Sequence, residues 1–339
     1  MKKALIASTA LVLTAGVAAA DVTISGYGRT GVIYYENDDS NVNETQIISR
    51  LRMNIDAATS TDQGVDFGAR FRLQWDQNRD DDRGQRGATN AGKLYVTASG
   101  LTVEIGNVDT AFDSNGLIYA TELGSYDRSV GFSDVTGNFF SYHTGEYDQD
   151  EVGRVGIRAL YSVGDLEVQA SYVDPDQRYD RGVGIDLDGD GVVDVVSNPN
   201  ADLEEEFSIS VDYTWNERLE LSAAAAWNGG GIDGNDIFFV GARYAVMENA
   251  RIGLNYVDAG DDEDGYDGQT FALYGDYTLA DGLTNIEAYI ANNNNDANET
   301  DNAFGIGVNY DLGGARLGAS LQRDYAENVT ADFGVRFDF

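Results

Sequence analysis

Val65-Asp66-Phe67-Gly68-Ala69-Arg70-Phe71-Arg72-Leu73-Gln74-Trp75 alternates apolar and polar residues without a break. Successive side chains of a β-strand point to opposite faces. Read as a strand, the stretch puts Val65, Phe67, Ala69, Phe71, Leu73 and Trp75 on one side and Asp66, Gly68, Arg70, Arg72 and Gln74 on the other. A soluble sandwich would bury the apolar side against a second sheet. A barrel closed in lipid would turn it outward and put the charges in the lumen. The rest of the chain decides between these two.

Working outward, the same period of two recurs about sixteen times, at 22–34, 51–55, 65–75, 94–98, 101–105, 155–161, 166–172, 207–215, 219–227, 238–244, 252–256, 271–279, 286–290, 304–312, 315–321 and 329–339. The connections sort by parity. After even-numbered strands they are short, as at 162–164, 216–218, 280–282 and 313–314. After odd-numbered strands they run long and polar, as at 36–45, 76–92, 174–206, 258–269 and 292–302. Short turns on one rim and long loops on the other are the asymmetry of a membrane barrel, and an even strand count is what such a barrel needs. Pro175 and Pro199 are the only prolines, and both fall in the 174–206 loop, where they remove no ladder hydrogen bond. Tyr34, Trp75, Tyr172, Trp227 and Tyr256 sit at loop ends of strands; Tyr161, Tyr213, Trp215, Tyr277, Tyr310, Phe337 and Phe339 sit at turn ends. Two such rows read as aromatic girdles at two membrane interfaces. The predicted fold is all-β: a 16-stranded antiparallel transmembrane β-barrel over residues 21–339.

Residues 1–20 stand apart. Lys2 and Lys3, an apolar run and Ala18-Ala19-Ala20 have the form of a secretory signal peptide. Losing the two lysines with it takes the formal charge from −36 to about −38. That charge excludes nucleic acid as a partner and excludes a polybasic membrane anchor. There is no Cys, so there are no disulfides and no thiolate chemistry. A mean hydropathy of −0.34 fits a barrel, in which only alternate strand residues meet lipid.

One segment breaks the rhythm. Between 107 and 152 the alternation stops, glycines punctuate the chain, and acids dominate. An insert of this length in a compact array is normally functional. It follows the fifth strand, so it is the third loop on the long-loop rim, and it is read as folding inward to narrow the lumen. Alternation puts Arg29, Arg50, Arg52, Arg70, Arg72, Lys93 and Arg336 on the lumen face as a basic side. Asp109, Asp113, Glu122, Asp127 and Asp134 of the insert are the expected acidic side. Facing rows of opposite charge order water and favour polar over apolar solutes. The bland alternative is that the arginines merely pair with carboxylates such as Asp66.

In the long loop, Asp186-Leu187-Asp188-Gly189-Asp190-Gly191-Val192-Val193-Asp194 matches the front of a calcium loop, with ligands expected from Asp186, Asp188, Asp190, the Val192 carbonyl and Asp194. Ser197 stands where a bidentate Glu would complete it. The competing reading is a solvated acidic loop. His143 is the only histidine, so histidine triads and multi-histidine zinc sites have no support, and the chain is not read as an enzyme.

Three stretches carry a family resemblance: 24–32 (Ile-Ser-Gly-Tyr-Gly-Arg-Thr-Gly-Val), 64–71 (Gly-Val-Asp-Phe-Gly-Ala-Arg-Phe) and 331–339 (Ala-Asp-Phe-Gly-Val-Arg-Phe-Asp-Phe). In these the chain resembles the Gram-negative general porins, most closely the Rhodobacter-type porins of α-proteobacteria. The resemblance implies a homotrimeric, water-filled barrel in the outer membrane, surrounded by lipid and lipopolysaccharide. It implies a third external loop folded into the barrel, calcium at acidic loops, and a trimer contact near the first strands, where Gly26, Gly28 and Thr30 face outward. No cofactor is required, and Ca²⁺ is the one ion expected. The function it implies is passive diffusion of small hydrophilic solutes and ions, with mild cation preference expected from the charge. The competing functions are a structural or adhesive barrel with a plugged lumen and, more remotely, a barrel enzyme of the lipase or protease type.

Overall fold

The computed structural model describes residues 21–36, 43–77, 87–89, 91–143, 153–177, 184–185, 195–196, 203–260 and 268–339. The expected leader and the nine residues of the calcium motif lie outside them.

Sixteen strands run round one closed antiparallel sheet: β1 (Asp21–Tyr35), β2 (Thr45–Ser60), β3 (Asp66–Gln77), β4 (Lys93–Ala98), β5 (Leu101–Gly106), β6 (Val155–Val163), β7 (Leu166–Asp174), β8 (Glu206–Trp215), β9 (Leu219–Trp227), β10 (Ile237–Met247), β11 (Ala250–Asp258), β12 (Gln269–Thr278), β13 (Thr284–Asn293), β14 (Asn302–Asp311), β15 (Arg316–Arg323) and β16 (Val329–Asp338). A short segment, Gly87–Thr89, pairs with the upper part of β3 ahead of β4. Each strand pairs with its sequence neighbours. β16 returns to β1, with Val32 opposite Phe333 and Arg29 opposite Arg336. The last residue completes the closure: Phe339 N–H donates to Gly26 O at 2.9 Å, and Gly26 N–H donates to Phe339 O at 2.8 Å. Every strand predicted from alternation is present.

Alternation also sets the faces. Leu94 is 65% exposed, Phe333 60% and Val240 58%, and Ile306, Leu254 and Phe71 share that outer surface. A soluble protein does not carry a contiguous apolar band round its whole girth; hydrocarbon makes it favourable. Ring pairs mark its loop-side edge, Tyr172 with Phe207 at 5.0 Å and Tyr256 with Phe271 at 4.7 Å. On β1 the outward Gly28 is not bare. A Cβ there would run into the ring of Phe337, which lies over it.

The apolar core sits inside the barrel rather than between two sheets. Phe112, Leu117, Ile118, Leu123 and Phe132 of the third loop pack against Ala224, Ala226, Ile237, Phe239, Val257, Ala272, Tyr289, Ala291 and Ala303. These partners occupy lumen positions on β9 to β14. The small and aromatic residues there form a wall made to be covered.

Candidate functional site

The third loop is described over 107–143, and its path follows from which wall atoms satisfy its backbone. Ala111 N–H donates to Ser171 Oγ of β7 at 2.8 Å, and Phe112 N–H to Ser208 Oγ of β8 at 3.2 Å. Gly116 N–H donates to Asp212, and Asn255 Nδ2 of β11 donates to Leu117 O at 2.7 Å. Leu123 lies on Gly305 and Gly307 of β14, and Ser125 N–H donates to Asp332 of β16. The loop then turns through a short bridge between Leu123 and Arg128. It returns nearer the loop rim: Val130 N–H donates to Gln322, Gly131 N–H to Tyr289 Oη, and Phe140 N–H to Glu206 at 2.6 Å. The ends are joined where Asn107 and His143 exchange hydrogen bonds of 2.8 and 2.9 Å. A buried backbone polar group without a partner is costly. The serines, asparagines and tyrosines spaced along β7 to β16 fix the loop in depth as well as direction.

At its tip the loop meets a row of like charges. Arg316 is directly opposite Arg336, Arg336 opposite Arg29, and Arg29 opposite Arg50, across four consecutive strands. Directly opposed like charges destabilise a sheet. The tip relieves them. Asp127 pairs with Arg316 at 2.6 Å and also with Arg336, and the Tyr126 carbonyl accepts from Arg29 at 2.5 Å. Tyr27 lies among the same groups, with Arg336 over its ring at 4.2 Å and Arg52 at 5.3 Å.

The wall of β2 and β3 carries the next arginines. Arg50 is held by Asp76 and Arg70 by Asp56, each at 2.7 Å. Arg52 donates through Nε to Gln74 at 2.5 Å and Arg72 to Asn54 at 2.8 Å. Arg72 also lies over the ring of Tyr142 at 4.2 Å. Lys93, nearly buried, bridges Glu104 at 2.9 Å and Asp109 at 3.3 Å; Arg158 takes the other side of Glu104 at 2.9 Å. The wall is therefore a lattice of half-compensated cations held at fixed heights.

The five loop acids occupy different settings. Asp109 is paired at the loop root with Lys93. Asp113 accepts from Tyr119 Oη at 2.6 Å. Burial pushes its carboxyl up to about 6, against the hydrogen bond from Tyr119. Asp127 is the tip anchor. Asp134 pairs with Arg128 of the same loop at 3.2 Å, and burial raises its carboxyl. The Glu122 carboxylate makes no hydrogen bond or ion pair among the described residues. Burial, with the Asp127 charge adding to it, pushes it up to about 8, against Arg29 and Arg336.

Glu104 and Arg316 were not among the expected site residues. Both stand at lumen positions of their strands, so alternation alone points to them. That they pair with Lys93 and with the loop tip depends on folding. The calcium residues Asp186, Asp188, Asp190, Val192 and Asp194 lie outside the described residues. Residues 184–185 and 195–196, on either side of them in the chain, pair as a two-residue antiparallel ladder.

A family model for Gram-negative porins matches residues 7–330. The chain is 38% identical over 322 residues to a porin of Fuscovulum blasticum, covering 94% of this chain and all of that protein. A porin of Rhodobacter capsulatus is 24% identical over 353 residues, with the same coverage. Solved structures of engineered Rhodopseudomonas blastica porins superpose with TM-scores of 0.80 and 0.81 at 37% identity, covering 94% of this chain and the whole of theirs.

Proposed function

Because the chain belongs to the Gram-negative porin family and forms an outer-membrane channel for small solutes, we propose that residues 107–143 and the arginine wall of β1 to β3 together set its limiting aperture and its ion preference. One observation carries this reading. The loop covers the apolar wall of β9 to β14 and docks its tip on β15, β16 and β1, so the arginines of β2 and β3 face what remains of the lumen. Ions pass between that wall and the loop carboxylates, where the transverse field aligns water and dipolar solutes and charges apolar ones the full cost of that ordered water. Passage is passive diffusion, and we assign the chain no catalytic step.

Mild cation preference belongs to this proposal. The chain carries 58 acidic residues against 22 basic ones, and most wall arginines are already engaged by carboxylates or neutral acceptors. Purified protein in a planar bilayer is expected to give large stepwise openings and, in a potassium chloride gradient, a reversal potential of cation-selective sign. Absence of conductance at high protein load overturns the channel role of this lumen, and an anion-selective sign overturns the preference.

We also propose the homotrimer, with lipid and lipopolysaccharide round its outer face, and Ca²⁺ at Asp186, Asp188, Asp190, Val192 and Asp194. The trimer is read by mass after mild detergent extraction. For calcium, chelation and Asp188→Ala are each expected to lower resistance to SDS and heat; no change in either removes the site.

A further inference from the structure

Beneath the loop tip, at the turn end of the lumen, lies a cavity of about 500 Å³ lined by Arg251, Asn285, Glu287, Asn309, Asp311 and Arg316. Its charges are unevenly satisfied. Arg251 of β11, Asp276 of β12 and Glu287 of β13 are directly opposite one another in successive strand pairs. Arg251 gives its Nε to Asp276 at 2.8 Å. That leaves Asp276 and Glu287 as two acids side by side, an arrangement that disfavours the sheet unless a cation approaches. No basic side chain pairs with Glu287 among the described residues; Asn309 Nδ2 donates to its Oε2 at 2.9 Å, and Oε1 is left open. Asn309 is itself 7% exposed, and its Oδ1 has no donor. On the opposite side, the terminal nitrogens of Arg251 have no partner among the described residues, and the side chain is 43% exposed. Asp311 is occupied by its own turn, where Gly313 N–H donates to it at 2.7 Å.

An open carboxylate oxygen and an open guanidinium thus face one cavity from strands two steps apart, about 10 Å between backbones. Both side chains line the same cavity, Glu287 held by Asn309 and Arg251 by Asp276. A small molecule carrying an ammonium and a carboxylate on one short carbon chain meets both. We propose that this cavity is an exit subsite for small zwitterionic solutes of the amino-acid class, with Glu287 receiving the ammonium and Arg251 the carboxylate. The site is open to water, so its hold is weak and turnover fast, as conduction demands. It lies on the far side of the tip from the loop rim, with Arg316, the partner of Asp127, in its lining. A solute that clears the tip therefore reaches it next.

The test uses the whole reconstituted channel, with β-alanine as the probe and glycerol, of nearly the same mass, as the reference. Potassium chloride current is recorded as each is added at equal osmolality. β-Alanine is expected to lower the current about twofold more than glycerol, saturating in the tens to hundreds of millimolar. Glu287→Gln and Arg251→Gln are each expected to abolish the saturation and to leave the glycerol effect unchanged. Equal effects of the two solutes on the native channel overturn the proposal, as does saturation that survives both variants. Arg251 is the more exposed of the two, so its variant supplies the answer if Glu287→Gln fails to insert. Persistence of the glycerol effect separates loss of the subsite from loss of the channel.

Discussion

Glu122 and Asp127 are five residues apart and formally identical in charge, yet the fold gives them different work. Asp127 is spent on Arg316 and Arg336. Asp127→Asn removes two part-buried ion pairs, together worth about 1–2 kcal/mol. It should shift the reversal potential toward anions, because one carboxylate charge is lost and Arg316 loses its ion-pair partner while Arg336 keeps Asp338, and it should increase open-channel noise in single-channel records. Glu122 acts through titration. Its carboxyl is held up to about 8 by burial and by Asp127, so it is neutral below that pH and anionic above it. Cation preference should therefore rise as pH passes from 7 to 9, by about twofold in permeability ratio for one charge at a narrow point. A smaller rise is expected near pH 6 from Asp113. In Glu122→Gln the upper step should vanish and the lower one remain; a native profile flat from pH 7 to 9 would show that Glu122 lies off the ion path.

At the scale of elements, the third loop and the wall beneath it behave as one unit. The wall supplies a bed of missing side chains. A Cβ on Gly318 of β15 would stand 2.6 Å from Ser125 N, and one on Gly334 of β16 2.7 Å from Ser125 Oγ. At Gly318 the clash is with loop backbone, and at Gly334 the Thr30 carbonyl oxygen, also 2.7 Å away, adds a backbone clash. Gly318→Val should lift the tip away from Arg316 and Arg336 while leaving the ladder of β14 to β16 in place, since valine suits a strand. Conductance should change substantially, while heat and detergent resistance of the barrel should hold. Unchanged conductance would mean that the tip does not limit flow. The presence, rim and inward course of this loop were legible as a break in period two after the fifth strand. The assignment of each acid was not. Asp109, Asp113, Glu122, Asp127 and Asp134 look alike in sequence, and only the turn at 123–128 sends one of them onto the arginine row and another back along the loop to Arg128.

For the whole molecule, closure is the governing fact. The final hydrogen bonds of the seam are made by Phe339 with Gly26. Deleting Phe339 should lower the heat needed to unfold the barrel in detergent by roughly 4 °C, the loss of two backbone hydrogen bonds at about 1 kcal/mol each. An unchanged transition would assign no stability to the seam end. Strand number, the lipid and lumen faces, the rim of long loops and the family were all readable from residue order, because each depends on a period of two or on the lengths between periods, which are local properties. Which arginine is neutralised, which acid stays unpaired, and which glycines must stay bare were settled only by tertiary structure. Those depend on distances between residues about 190 to 210 positions apart, such as Asp127 with Arg316 and Arg336, and on a loop path set by hydrogen bonds to strands that follow it in the chain.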